Sequence, residues 1–130
     1  MSATDELFGI HAAALQVQSR RMELIASNIA NADTPHYSAR DIDFAKALDQ
    51  IANQAQLPAQ ATHPAHLPVA DPASSLPVIE RTPMQNSSDG NTVDVQTEQA
   101  QFADAALHYQ ASMNFVDARL RALLTAITGQ

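Results

Sequence analysis

Cysteine and tryptophan are both absent from this 130-residue chain, glycine occurs three times, and four phenylalanines and two tyrosines are its only aromatic residues of that kind. Without cysteine there is no disulfide staple, no thiol nucleophile and no thiolate site for zinc or an iron–sulfur cluster. Bulky apolar residues are scarce as well: Leu, Ile, Val and Phe fill 28 positions, while alanine alone fills 25. That places the chain near the limit below which sequences stop folding alone, and the length allows one modest domain. Basic residues are short, seven against fourteen acids, for a net charge of −7. A surface of that sign repels nucleic acid and anionic membranes, and no Lys/Arg cluster offsets it. No run approaches the roughly 18 apolar residues of a membrane span. The first six residues carry Asp5 and Glu6 where a cleaved signal peptide needs basic ones. The expectation is a soluble chain, with no direct membrane insertion, whose export would not use a cleaved signal.

What is present divides into three stretches. Residues 4–33 hold no proline and a single glycine, Gly9, and are rich in the helix formers Ala, Leu, Gln and Arg. Ser2 and Asp5 form a capping-box spacing at the start, and Asp33-Thr34-Pro35 stops the helix, because proline disfavours helical backbone at Thr34. Residues 51–92 contain six of the seven prolines among Gln, Ala, Ser and Asn, and read as a mobile, partly extended connector. Residues 39–53 between them predict a short amphipathic segment. Asp89-Gly90 marks a turn, and Thr92–Thr128 runs without proline or glycine until Gly129 ends it. In that last stretch Val95, Phe102, Tyr109, Val116 and Leu123 recur every seven residues, with Ala106, Met113, Leu120 and Ile127 at the alternate seam position.

The expected fold is therefore all-α. Two long terminal helices pack as an antiparallel coiled-coil-like pair, joined by the short amphipathic segment and the Pro/Gln/Ala-rich connector. They form one discontinuous domain with parts 1–35, 36–92 and 93–130. The first helix carries two apolar rows, one through His11, Leu15, Met22, Ile25 and Ile29, the other through Ile10, Val17, Arg21, Leu24 and Asn28. One antiparallel partner covers one row, so the other calls for a further chain; cover by residues 39–53 is the competing reading.

Chemistry finds little support. No P-loop, nucleophile elbow, HExxH or dinucleotide fingerprint occurs. His63 and His66 lie between prolines without other ligands at metal spacing, so no metal or cofactor is implied. His11 and His108 read as solvated or packed against a neighbour. Asp41 and Asp43 have the residue types of a glycosidase pair but read as a solvated loop. An enzyme is not expected.

One run carries more information. Ala26-Ser27-Asn28-Ile29-Ala30-Asn31-Ala32-Asp33-Thr34-Pro35-His36-Tyr37 resembles the N-terminal signature of bacterial flagellar rod and hook proteins. Ser38–Phe44, Thr62–Leu67 and Asp89–Asp94 resemble the continuation found in its proximal rod members, and the last helix, with Phe102, Leu107, Tyr109, Met113, Leu120 and Ile127, resembles their C-terminus. The family usually has glycine where this chain has His36, so histidine adds strain if that position needs positive φ.

The resemblance implies a structural subunit of the flagellar basal body, a periplasmic rod segment exported from the cytoplasm by the type III apparatus. Its partners would be other rod subunits and the adaptor at the membrane ring and export gate, and it would grow by helical self-assembly to transmit torque. Assembly contacts are expected from Leu15, Met22, Ile25, Ile29, Phe102, Tyr109, Val116 and Leu123, with Met113, Leu120 and Ile127 beside them. Asn28 and Asn31 would bond adjacent subunits, Thr34 and Pro35 would lead the chain out of the packed layer, and Tyr37 would be a further assembly residue. The alternative is a small acidic secretion chaperone; a lipid-binding helical protein fits less well, for want of Lys and Arg on the polar faces.

Overall fold

The computed structural model describes residues 3–54, 76–83 and 87–129. Its elements are α1 (Ala3–Ala30), β1 (Arg40–Ile42), α2 (Phe44–Gln54), β2 (Val78–Glu80) and α3 (Val95–Thr128). The chain is mostly helical, and at about 1.5 Å per residue the two terminal helices span roughly 42 and 51 Å.

Four of the six helix ends have a local cause. The peptide N–H of Asn31 is shared between the Ser27 and Asn28 carbonyls, and that of Ala32 donates to Ile29, so α1 tightens and closes at Ala30, a few residues before Pro35. Asp43 starts α2, its carboxylate accepting from the Lys46 N–H at 3.2 Å. Asp94 caps α3 from extended backbone, accepting from Gln96 and Thr97. Gly129 ends α3 at φ 72°, its N–H donating to Thr125. The expected Ser2 cap lies outside the described residues.

The small sheet was not anticipated. β1 and β2 pair antiparallel with Arg40 opposite Glu80, Asp41 opposite Ile79 and Ile42 opposite Val78. Residues 76–83 are thus tied down, as are 89–92, where Asp89 accepts from His36 and Thr92 donates to Tyr37. The mobile-connector reading does not hold for these parts; residues 55–75 and 84–86, with His63 and His66, lie outside the described residues.

The core sits at one end. Val17, Leu24, Ile42, Ala47 and Leu76 are buried together, with Ile51 packed against them. Val17 and Leu24 belong to one of the two apolar rows on α1, of which one was expected to need a further chain or cover by residues 39–53. The structure covers them within the subunit, using Ala47 and Ile51 one turn apart on α2, Ile42 from β1 and Leu76 from before β2. So short a segment suffices because Arg21, between Val17 and Leu24, needs a carboxylate and not apolar cover, while Ile10 at the open end stays exposed.

α1 and α3 run antiparallel: Asn28 bonds Glu98 at one end and His11 stacks on Phe115, ring centroids 4.7 Å apart, towards the other. The buried or half-buried positions of α3 include Glu98, Ala105, Tyr109, Ser112, Val116 and Leu123, whereas Met113, Leu120 and Ile127 are exposed. The inner face is thus rotated from the predicted seam. Glu98 explains the rotation, since its carboxylate has partners only on the inside.

Two expectations follow for the isolated chain. Leu24→Ala lowers unfolding free energy by about 3 kcal/mol through the cavity it leaves, whereas Leu107→Ala on the exposed face costs under about 0.5 kcal/mol; urea denaturation compares them, and equal costs would contradict the core assigned here. His36 has φ 60° and Gly90 φ 74°, and a Cβ on Gly90 would stand 2.7 Å from His36 Nδ1. Gly90→Ala therefore destabilises by about 1–2 kcal/mol, and less in a His36→Gly background, which itself gains a fraction of that; the double-mutant cycle tests the coupling.

Candidate functional site

At the closed end of the helix pair the apolar core gives way to a buried polar hub. Asn28 has no exposed surface and uses its whole amide: Nδ2 donates to the Arg40 carbonyl at 2.7 Å and to Glu98 Oε2 at 3.0 Å, and Oδ1 accepts from the Arg40 N–H at 3.0 Å and the Tyr37 hydroxyl at 3.3 Å. It thereby grips the Arg40 peptide much as a neighbouring strand would, and positions β1 on α1. Glu98, 1% exposed, accepts from Asn28 with one oxygen and from Arg81 Nη1 with the other, at 2.7 Å. Arg81 reaches from just after β2 to Glu98, Asp41 and Gln101. Asp41 also accepts two bonds from Arg21, at 2.9 and 3.2 Å, and one from the Ile42 N–H.

Two guanidinium groups thus meet two carboxylates, and the buried charges balance. Burial pushes the Asp41 carboxyl up, but the bonds from Arg21, the Ile42 N–H and Arg81 outweigh it and hold the group below its ordinary value of 3.8. Pairing is what makes the burial tolerable, because a single buried charge without a partner costs several kcal/mol. Asp41 is therefore no solvated loop residue. Asp43 fits the surface reading better, in an exposed pair with Lys46 at 3.1 Å.

A second clasp stands beside the hub. Asn91 is buried, and its Nδ2 lies 2.7–3.0 Å from the carbonyls of Asn31, Ala32 and Thr34, so a residue just before α3 closes the end of α1. Its Oδ1 accepts from the Val93 N–H. The Thr92 hydroxyl accepts from the Ala39 N–H at 2.7 Å.

The other half of the helix pair is different. From Ala106 to Gly129 no described side chain is buried, and Leu107, Met113, Phe115, Leu120, Leu124 and Ile127 are all exposed, Ile127 by 81%. With Val95 and Phe102, also exposed, Met113, Leu120, Leu124 and Ile127 follow one flank of α3 at helical spacing, an apolar stripe about 48 Å long.

The residues expected to serve assembly fall in three places. Ile25 and Asn28 are buried inside the subunit; Leu15, Met22, Ile29, Asn31, Tyr37, Tyr109, Val116 and Leu123 are half-buried; Thr34, Pro35, Phe102, Met113, Leu120 and Ile127 are exposed. Asn28 and Asn31 make bonds within the chain, Asn31 to the Ser27 carbonyl and from the Thr34 hydroxyl. Sequence reading missed Arg81, Glu98 and Asn91. The available signals were a lone arginine in a connector poor in charge, and a glutamate one helical turn before Phe102 on an otherwise apolar face. No group of three His, Asp or Glu side chains among the described residues could hold a metal ion. No described helix is long and apolar enough to cross a membrane.

A polar clasp that sets helices together and a long apolar flank left open define a helical building block. A family model described as flagella basal body rod protein matches residues 8–37. Flagellar basal body rod protein FlgB of Aeromonas hydrophila is 42% identical over 127 residues, covering 97% of this chain and 96% of that protein. FlgB of Cereibacter sphaeroides (strain ATCC 17029 / ATH 2.4.9) is 40% identical over the full length of both, and FlgB of Escherichia coli (strain K12) is 38% identical over 88% of this chain and 87% of its own. The chain belongs to the FlgB family of flagellar basal-body rod proteins. It is accordingly a structural subunit of the basal body, involved in motility, and not an enzyme.

The hub carries a pH expectation. Asp41 has a folded-state pKa below its unfolded one, so its contribution to stability is complete above about pH 4 and is lost as pH falls through the lowered value. Asp41→Asn should lower stability at neutral pH by about 3 kcal/mol and flatten the acid dependence. Denaturation midpoints of both proteins from pH 7 to pH 3 measure it; parallel curves would contradict the assignment.

Proposed function

We propose that this chain polymerises in the rod wall through the open half of its α1/α3 pair, the α3 flank of Val95, Phe102, Met113, Leu120, Leu124 and Ile127 packing onto terminal helices of neighbouring subunits. The observation that carries the reading is the exposed stripe itself: a chain so poor in large apolar residues leaves six of them on one flank of one helix. Burying a side chain of that size contributes about 1.5–3 kcal/mol, and the seven-residue spacing suits knobs-into-holes packing against another helix. Contacts of one flank with a different surface on the next copy do not close on themselves, so an open helical array grows. Torque then passes through many inter-subunit contacts without a catalytic group.

In this reading the terminal helices form the coiled-coil-like inner layer. Leu15, Met22, Ile29, Tyr109, Val116 and Leu123 line the pair and tighten on assembly. Neighbouring rod subunits, and the adaptor at the membrane ring and export gate, are the partners. The chain leaves the cytoplasm without a cleaved signal and takes its place in the periplasmic rod.

Leu120→Asp and Ile127→Asp test this directly, since both positions are exposed in the free subunit. Each should leave expression and helicity unchanged and abolish swimming in soft agar when it replaces the native gene. Normal swimming of both variants would overturn the proposal.

A further inference from the structure

Helices α1 and α3 have sequences that fit each other in more than one alignment. Along α3, Phe102, Tyr109, Val116 and Leu123 recur every seven residues, and along α1 so do Leu15, Met22 and Ile29. Sliding one helix by a heptad, about 10 Å, would again set apolar against apolar. Little in the seam opposes it: the one buried apolar residue of α3 is Ala105, which is small and smooth. Two of the four largest fully buried side chains, Asn28 and Glu98, are polar, and they bond each other.

We propose that the register of α3 on α1 is set by the polar contacts at the closed end, Asn91 on the last carbonyls of α1 and Glu98 between Asn28 and Arg81, and not by the apolar seam. Polar groups act in this way because a slipped alignment strands them: a carboxylate or amide left buried without its partner costs far more than an exchange of one aliphatic contact for another. The two fixed contacts, Asn28 with Glu98 and His11 with Phe115, are equally separated along both helices. A slip by one heptad therefore brings either Asn91 away from the end of α1 and Glu98 opposite Arg21, or Glu98 past the end of the helix. The first would offer Glu98 a new cation, but Asp41 already occupies Arg21 through two bonds. Asp41 thus removes the reward for the wrong alignment, and Arg81, from outside both helices, supplies the cation in the right one.

The consequence for assembly rests on the function proposed above, since a slip would displace the exposed stripe along α1 by about 10 Å. The register itself is read on the isolated chain, so its test fails or succeeds apart from any motility assay. With no native cysteine, His11→Cys can be combined with Phe115→Cys or with His108→Cys, which faces position 11 after the slip, and bridged by a short bismaleimide at low protein concentration, internal bridges being separated from dimers by gel mobility. The parent should prefer 11–115 over 11–108 by at least about tenfold, equivalent to about 1.4 kcal/mol. In the Asn28→Leu/Glu98→Leu/Asn91→Ala variant the two yields should converge while helicity persists. An undiminished preference for 11–115 would overturn the proposal. If that variant loses its circular-dichroism helix signal, Glu98→Gln and Asn91→Ser are compared instead; a rise in the 11–108 product in either supports the polar register, and the parent's preference in both refutes it.

Discussion

Glu98 has almost no access to water, yet it carries a charge in a chain with little apolar material to surround it. Its burial is possible because Asn28 and Arg81 take one oxygen each, and Arg81 is in turn shared with Asp41, which is shared with Arg21. The four charged groups come from α1, β1, the residue after β2, and α3, so every described element except α2 has a stake in one neutral network. Taking any member away would leave a partner charged and desolvated, and that is the penalty which holds the small sheet and both terminal helices in one arrangement.

The two ends of the helix pair consequently have different physics. At the closed end, apolar burial around Val17, Leu24 and Leu76 supplies the driving force, and the polar hub beside it supplies direction. At the open end neither exists. His11 on Phe115 is a contact at the surface, and the α3 flank ends in Ile127, exposed to solvent. A subunit built this way keeps a definite shape at one end while leaving apolar area exposed at the other.

Much of the local structure was legible from residues alone. Gly129 lies where a left-handed stop belongs, Asp89-Gly90 forms the turn its dipeptide announces, and the glycine usual in the family at position 36 accords with the φ of 60° that His36 adopts. These features depend on a few adjacent residues, so sequence contains all the information they need. β2 was hidden because Val78-Ile79-Glu80 is three residues long and follows a proline, a pattern too short for its alternation to show. The inner face of α3 was misjudged for a related reason: counting apolar residues selects Met113, Leu120 and Ile127, whereas the inner face includes Glu98, whose fitness depends on partners far away in the chain.

Composition and spacing by themselves determined that the chain is helical at both ends, poor in core material and without catalytic constellations, since these are properties of nearest neighbours and averages. Which face of each helix turns inward, which acids lose their water and which lone arginine joins them were decided only by tertiary structure. Asn28 and Glu98, or Asp41 and Arg81, are dozens of positions apart, and whether a charge is tolerable in the interior is a property of the pair in space and not of either residue in the chain.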